Sequence, residues 1–452
     1  MLIGFSVKNF RSFRDECSFS LLASNYYKEN AETLLTKDIP GLSGVKVLPV
    51  SAIFGPNASG KSTLMSALVE MRNAVLAIRG PQSGPAASYQ PFLLDDDSQT
   101  EPTTFSIEFC TLRSIGKEKK PKLVRYMYAF SFTQEGVVYE ELRAHFSKMP
   151  RRLFRRVKQG SGEAVIEGSP TFPIPYEVKS LIGSHILILS FFSQADRARA
   201  GEEARVVTDW FKDSLILVDR SPDSMRPVDM FSGEILDGAR GTDYQRRMIR
   251  EIMNKADAGL ASVEVEHVPI SDTNFPEELL GVMPEEMIKV IKAQPAKHVA
   301  FKHQGLGGPR ELPSESSGTM QLFRLSGFVA RTLELGGVLF VDELDASLHP
   351  DLASTVVSLF LDRGINKNGA QLVFTAHNPC LMSNELMRRD EFWITEKKED
   401  GASTLYPISD FKVRKGESVQ VAYLQGRYSG VPQIPACFGL GAFGSCTCES
   451  GA

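Results

Sequence analysis

The chain has 452 residues, enough for two or three domains around a large core, and 51 Lys and Arg against 55 Asp and Glu leave a net charge of −4. This charge argues against a protein that coats nucleic acid with its whole surface, although it is compatible with a local basic patch. Six mostly scattered cysteines are typical of a reducing cytoplasm, and no stretch reaches the roughly 18 to 20 apolar residues of a membrane span, so we expect a cytoplasmic protein without membrane contact.

Residues 1–24 read as two short strands, and the segment GPNASGKS follows at residues 55–62 between an apolar run and a helical pattern. This strand, loop and helix order is that of a phosphate-binding loop: glycines turn backbone N–H groups towards phosphate oxygens, Lys61 supplies a positive charge, and the Ser62 hydroxyl is a ligand for Mg²⁺. The helix N-terminus adds a favourable dipole. The sequence therefore predicts binding of ATP and Mg²⁺ by the loop residues Gly55, Asn57, Ser59, Gly60, Lys61, Ser62 and Thr63.

Two further regions precede the second half of the predicted site. Residues 103–166 are strand-like, with alternation in TTFSIEF and a turn at Glu135 and Gly136, which indicates an antiparallel sheet layered on the nucleotide core. Residues 195–300 change to helical patterns, and Tyr244, Met248, Ile249, Ile252 and Met253 share one helix face, which we interpret as packed core. We therefore expect a largely helical lobe inserted between the two halves of the site.

The segment GGVLFVDE at residues 336–343 reads as a buried parallel strand that ends in two acids. In a nucleotide hydrolase the first acid, Asp342, would hold Mg²⁺ together with Ser62, and Glu343 would orient or deprotonate the attacking water. An acidic pair at a strand end is usually only solvated. Together with Lys61 it indicates the second half of an ATP site.

Three segments extend the pattern. The segment ESSGTM at residues 315–320 places hydroxyls and a glycine before a helix, which fits an anion site or an ordinary serine cap. The segment DASLHP follows the acidic pair, and QLVFTAHN at residues 371–378 reads as another buried strand, ending at His377. A lone histidine at a strand end is usually structural. The order of loop, serine-glycine cap, acidic strand and histidine strand nevertheless favours one ATP-hydrolysing site.

This order resembles the ABC-type ATPase heads of the recombination and chromosome-maintenance class. The resemblance implies that Ser317 and Gly318 cover the γ-phosphate bound by a partner subunit, so that ATP lies at the interfaces of a homo-oligomer. It also implies that Gln90 senses Mg²⁺ and water, that Asp345 lies at the dimer interface, and that His377 is the switch histidine on the γ-phosphate. The serine-glycine segment departs from the class because it lacks a second glycine and a following glutamine.

A closer resemblance runs from about residue 9 to 432 through NFRSFRDECSFSLLAS, PFLLDDDSQTEPTTFSIEF, FVDELDASLHP, FTAHNP and KVRKGESVQVAYLQGRYSGVP. These segments are similar to bacterial AAA/ABC-type ATPases of abortive-infection systems, the AbiL/RloA type, with the PARIS anti-phage ATPase and the overcoming-lysogenization-defect family as relatives. The resemblance implies a sensor and regulator of a toxic effector in defence against phage. Too few residues follow His377 for a Toprim nuclease, so a nuclease or other effector, for example of the Toprim type, would be a separate protein.

The predicted fold is α/β, an ABC-type ATPase head of the P-loop class with an antiparallel β subdomain and an inserted, largely helical lobe. We expect the first half of the head at residues 1–194, the lobe at 195–300, the second half with the Walker B strand at 301–436, and a flexible, glycine-rich tail at 437–452. One alternative is a DNA-repair ATPase head that binds duplex DNA through the six cations of residues 148–158, a run that also fits a charged strand edge. A transporter subunit is disfavoured by the large insertion.

Overall fold

The computed structural model describes residues 1–77, 84–114, 120–158, 160, 162, 164–194, 199–218, 231–256, 259–268, 286, 296–305, 310–311, 314–411 and 417–430. The predicted tail at 437–452 lies outside this part of the chain. The described strands are β1 (Leu2–Lys8), β2 (Cys17–Ser20), β3 (Val50–Phe54), β4 (Thr103–Arg113), β5 (Lys122–Thr133), β6 (Gly136–His145), β7 (Arg151–Lys158), β8 (Ala164–Gly168), β9 (Leu215–Val218), β10 (Leu260–Val268), β11 (Ala296–His303), β12 (Arg310–Glu311), β13 (Val338–Val341), β14 (Gln371–Thr375), β15 (Phe392–Lys397) and β16 (Ser403–Pro407).

The α-helices of the described residues include α1 (Lys61–Leu76), α2 (Tyr176–Lys179), α3 (Ile188–Ser193), α4 (Arg199–Asp209), α5 (Asp243–Ala256), α6 (Ser317–Leu335), α7 (Pro350–Leu361) and α8 (Val419–Leu424). A π-helical turn follows α4 at Trp210–Ser214. Short 3₁₀ turns lie at Pro85–Ser88, Pro379–Leu381, Arg389–Glu391 and Ile408–Asp410. The described residues of the chain are thus a mixture of helices and strands, as predicted.

A six-stranded sheet forms the centre, in the order β16-β15-β3-β14-β13-β9. The strands from β15 to β9 run parallel, and β16 closes the edge antiparallel to β15. Every residue of β3, β13 and β14 is buried, because parallel strands are covered on both faces and therefore consist of continuous apolar runs. The strand order puts β14 between the strand of the phosphate loop and the acidic strand, so three predicted segments end side by side.

The two faces of this sheet belong to different hydrophobic clusters. On β3, Ile53 faces a cluster that contains α1 and the antiparallel sheet, whereas Val50, Ala52 and Phe54 face a cluster that contains α5, α6, α7 and α8. Side chains alternate between the faces of a strand, so a single strand contributes to both clusters. The fold is therefore layered, with β3, β13 and β14 in the middle layer.

The predicted antiparallel sheet is confirmed, with the strand order β2-β1-β4-β5-β6-β7-β8. The burial pattern of β4 alternates over its first residues, and the turn at Glu135 and Gly136 connects β5 to β6. The first two strands of the chain also pair in this sheet, around a tight turn in which Phe10 and Phe13 form a bridge. Long-range pairing thus joins the N-terminus to residues beyond 100.

Residues 195–300 were expected to form a mainly helical lobe, and their described part contains strands as well as helices. The stretch contains α4 and α5, but β9 joins the edge of the central sheet, and β10 and β11 form an antiparallel hairpin to which β12 adds. The physical reason is visible in β10, where Val263 and Val265 alternate with Glu264 and Glu266 at the period of a strand. The interpretation of the α5 face is confirmed, because its apolar residues are packed into a core: Met248, Ile249, Ile252 and Met253 are buried, and Tyr244 is partly buried.

Candidate active site

The phosphate loop lies between the end of β3 and the start of α1, which begins at Lys61. The Lys61 ammonium donates hydrogen bonds to the carbonyl oxygens of Gly55 at 2.7 Å and Pro56 at 2.9 Å, so the loop curves around its own lysine. Lys61 is 5% exposed, whereas Asn57 and Ser62 are exposed at the rim of the loop. A buried cation surrounded by carbonyl groups and facing an open rim fits a phosphate ligand.

Both glycines of the loop are required by close approach as well as by dihedral angle. Gly55 has φ 153°, and a Cβ added there would lie 2.3 Å from the carbonyl oxygen of Thr395. Gly60 has φ 116°, and its Cβ would lie 2.8 Å from Ser403 Oγ. Because no side chain stands at these two positions, the loop packs directly against β15 and β16, and its glycines give the backbone freedom that a phosphate-binding loop needs.

The β15–β16 hairpin supports this loop from behind. Ser59 Oγ lies 2.5 Å from Thr395 Oγ1, and Thr395 Oγ1 also lies 3.3 Å from the Phe54 carbonyl oxygen, to which it donates. Ser403 is 1% exposed, and its hydroxyl has no hydrogen-bond partner among the described residues. Sequence reasoning missed Thr395 and Ser403, because Thr395 is 336 positions from Ser59 and neither belongs to a local motif.

The acidic pair lies at the end of β13, held by Thr375 of the neighbouring strand. Thr375 Oγ1 donates to Asp342 Oδ1 at 2.6 Å and accepts from the Glu343 N–H at 2.7 Å. Glu343 has φ 52°, in the left-handed region. One hydroxyl therefore holds the carboxylate of Asp342 and the backbone of Glu343. Its position in FTAHN was the signal that sequence reasoning did not use.

His377 meets the predicted base, with Nε2 at 3.5 Å from Glu343 Oε1. The backbone N–H groups of His377 and Asn378 both donate to Asp345 Oδ2, at 2.8 Å and 2.6 Å, which fixes the residue that bears the imidazole. The side chains of His377 and Glu343 are 39% and 34% exposed. The pair is thus ordered by its backbone but open to a ligand.

Electrostatics join the two halves of the site. Burial lowers the pKa of Lys61 to about 8, while the negative charges of Asp342, Glu343 and Asp345 act in the opposite direction. These three carboxylates therefore lie close enough to Lys61 to interact with it. The structure brings together the residues that the sequence placed 281 positions apart, as the spacing of Lys61 and Asp342 shows.

The serine-glycine segment forms the N-terminus of α6. Ser316 is the cap, its Oγ accepting from the Thr319 N–H at 3.1 Å, and Ser317 is exposed. A Cβ at Gly318 would lie 3.2 Å from the Ser347 carbonyl oxygen, which places the segment beside the loop that follows the acidic pair. The serine cap is confirmed, and Ser317 remains accessible to a second molecule.

Gln90 is held by the N-terminal turn. Its Oε1 accepts from Arg11 Nε at 2.8 Å, and its carbonyl oxygen accepts from the Arg11 N–H at 2.8 Å. The next residue, Ser12, lies with Oγ 3.4 Å from Thr63 Oγ1 in the first turn of α1. Gln90 thus lies near the loop through this turn, and its role towards Mg²⁺ stays a prediction.

The basic run at residues 148–158 falls largely on β7, which lies between β6 and β8 rather than at a sheet edge. Arg152 pairs with Glu141 and Glu167, and Lys158 pairs with Glu135. Arg156 is 2% exposed and donates to two backbone carbonyl oxygens. Arg152 and Lys158 are thus paired at the surface, Arg156 is bonded in the interior, and the Arg155 guanidinium lies over the Tyr139 ring.

A family model described as "AAA domain, putative AbiEii toxin, Type IV TA system" matches residues 50–383, which include both halves of the site. The chain belongs to this AAA family. The matched residues run from β3 to just beyond His377, so the AAA domain includes the phosphate loop, the acidic strand β13 and the histidine strand β14 of the parallel sheet. No curated protein matches the sequence.

Solved structures similar to this chain include three Smc head domains. They are a Smc head bound to the C-winged helix domain of ScpA (14% identity, covering 90% of this chain and 96% of that chain, TM-score 0.43), the SMC head domain from Thermotoga maritima (13%, 91% and 99%, TM-score 0.38), and a Smc head with an extended coiled coil bound to the C-terminal domain of ScpA derived from Pyrococcus furiosus (12%, 94% and 98%, TM-score 0.43). In the described part of this chain, none of the helices has the length and apolar character needed to cross a membrane.

Proposed function

We propose that this AAA domain is a Mg-ATP-dependent ATPase that regulates a separate toxic effector in defence against phage. The observation that carries the ATPase part is the convergence of Lys61, Asp342, Glu343 and His377 at the ends of three adjacent parallel strands. Ligands of open α/β sheets bind at the carboxyl ends of the strands. The phosphate loop offers the positive charge of Lys61 to a nucleotide phosphate, and the acidic pair offers negative charge to its metal ion.

Each side chain has a role that its surroundings support. Lys61 would neutralise the outer phosphates, and Ser62 and Asp342 would hold Mg²⁺, with Gln90 as a further candidate ligand. Bound Mg²⁺ supplies charge stabilisation to the phosphoryl group. Glu343 would accept the proton of the attacking water, and His377, 3.5 Å away, would orient that carboxylate and contact the γ-phosphate.

The same proposal places ATP between two copies of the chain. Ser317 is exposed at the N-terminus of the 19-residue helix α6, where backbone N–H groups and the helix dipole favour an anion. In the proposed homo-oligomer, Ser317 and Gly318 of one copy would cover the γ-phosphate held by Lys61 of the other. ATP binding would then be coupled to association, which is how a regulator could hold and release an effector.

The defence role follows from the resemblance to abortive-infection ATPases of the AbiL/RloA type and is supported by the toxin and type IV system in the family description. The effector would be a separate protein, such as a nuclease of the Toprim type. A capture experiment from the native host with tagged Glu343→Gln protein, ATP and Mg²⁺ tests this part. A stoichiometric nuclease supports the regulator, whereas recovery of duplex DNA without a protein partner favours a DNA-repair ATPase.

The ATPase part is tested by separating binding from hydrolysis. We expect Glu343→Gln to bind ATP with parental affinity but to lower kcat by about 10²–10⁴-fold, because a general base is lost while the phosphate loop is intact. Lys61→Ala should lose nucleotide binding itself. Glu385→Gln, at an exposed glutamate that has no proposed role in the site, is the matched control and should keep parental kcat. A parental rate in Glu343→Gln would refute the assignment of the base, and a parental protein that binds no ATP would refute the proposal.

A further inference from the structure

The β10–β11 hairpin, which begins in the predicted lobe and ends at His303, three residues beyond the lobe boundary, contacts the serine-glycine segment through a largely buried polar pair. His303, the last residue of β11, has Nε2 2.9 Å from Oε1 of Glu315. The two side chains are 14% and 4% exposed. Glu315 directly precedes the cap residue Ser316, so the pair lies at the point where the chain enters α6.

A second contact on the same strand is apolar. Phe301 of β11 packs edge-on against Phe323 of α6, with ring centroids 5.4 Å apart, and both side chains are 0% exposed. Residues two apart in a strand point to the same face, so Phe301 and His303 face α6 together. The strand therefore meets the helix at its entry through His303 and in its second turn through Phe323.

The far end of α6 is held by the other part of the lobe. Thr242 Oγ1 and Gln245 Nε2 donate to the two carboxylate oxygens of Glu334, at 2.7 Å and 2.5 Å. Thr242 directly precedes α5, and Gln245 lies in its first turn. The lobe thus touches both ends of α6, and at the N-terminal end its polar contact is two residues from Ser317.

We propose that His303 and Glu315 are positioning residues for the composite ATP site: their hydrogen bond fixes the N-terminal end of α6, with Ser317 and Gly318, relative to the lobe hairpin. This inference rests on the proposed function, in which that end covers the ATP of a partner subunit. Without His303, the buried Glu315 carboxylate loses the contact seen here and the entry to α6 is free to shift. Displacements on the scale of 1 Å suffice to impair catalysis.

The test measures nucleotide binding, hydrolysis and association in the full chain. We expect His303→Leu to keep the ATP affinity of the separate subunit, since Lys61 and its loop are untouched. Its kcat should fall about tenfold or more at a nearly unchanged KM, and in the Glu343→Gln background its ATP-dependent association should weaken by a similar factor. His303→Gln, which retains an N–H donor for Glu315, should restore most of both.

The matched control is His267→Leu. His267 lies on β10 near the opposite end of the β10–β11 hairpin, with Nε2 2.6 Å from Asp237 Oδ1, away from α6 entry. We expect parental kcat and association for it. Thermal melting confirms that each variant is folded. If His303→Leu is not, His303→Asn, whose shorter side chain does not reach Glu315, and Glu315→Ala, compared singly and together, provide the same measurement through their non-additivity.

The possible outcomes distinguish a failure of the positioning role of His303 from a failure of the proposed ATPase function. Parental kcat and association in His303→Leu, or equal losses in His303→Leu and His267→Leu, would overturn the positioning role alone. Loss of ATP affinity in the separate His303→Leu subunit would also overturn it, since the effect would then be on the fold of the phosphate site. A parental protein that neither associates with ATP nor hydrolyses it would overturn the proposed function itself.

Discussion

The lowered pKa of Lys61 makes ATP binding dependent on pH in a range where ordinary lysines do not titrate. Burial penalises the charged ammonium and lowers its pKa from 10.5 to about 8, so the side chain loses its charge as the pH rises through 8. A phosphate needs the charged form. If only that form binds ATP, the dissociation constant should rise about 25-fold between pH 7.5 and 9.5.

The assay is an equilibrium titration of a fluorescent ATP analogue into the Glu343→Gln protein, in which hydrolysis does not interfere. Lys61→Arg is the control, because a guanidinium stays charged over this range and should give a flat, although weaker, profile. Calorimetry in two buffers of different ionisation enthalpy should show uptake of about 0.9 proton per ATP at pH 9. A Kd that is constant within twofold, or an equally steep Lys61→Arg profile, would show that the buried ammonium is not what binds the phosphates.

Two further predictions concern the sheet beneath the site. Thr395→Val leaves the buried Ser59 Oγ without its hydrogen-bond partner. This variant should lower the free energy of unfolding by about 1–3 kcal/mol in urea titrations and weaken ATP binding. Thr395→Ser keeps a hydroxyl and should remain near parental, and equal losses in the two variants would contradict this reasoning. Burial raises the pKa of the Glu391 carboxyl from 4.5 to about 8, so between these two pH values the folded protein holds a proton that the unfolded chain releases. As the pH rises from 4.5 to 8, the free energy of unfolding should therefore fall by roughly 1.4 kcal/mol per pH unit. Glu391→Gln removes that contribution, and melting curves of the two proteins that stay parallel from pH 5 to 8 would refute it.

Local sequence was sufficient for the loop and the acidic strand. A loop that wraps phosphate needs residues at φ values that only glycine adopts readily, so Gly55 and Gly60 mark it wherever it occurs. A strand that is buried on both faces is largely apolar along its length, so β3, β13 and β14 could be predicted from the sequence alone. The polar residues after these strands, from Lys61 to the acidic pair and His377, were therefore predictable from the sequence as parts of one site.

Periodicity was a weaker guide in the lobe. The helical face of α5 was predicted correctly, but the prediction extended that pattern over β9, β10 and β11, whose pairing partners lie elsewhere in the chain. A short apolar run such as that of β9 fits a buried strand or a helix segment equally well. Only its place beside β13 decides which it becomes.

The sequence by itself determined that this chain carries a phosphate loop, an acidic strand and a histidine strand, because each is encoded by residues adjacent in the chain. Tertiary structure alone decided that β14 lies between the other two, that Thr375 joins Asp342 to Glu343, and that Thr395 and Ser403 support the loop. The pairing of His303 with Glu315 was equally hidden. Such contacts depend on which strands become neighbours, and strand order is set by packing of the whole core rather than by any local pattern.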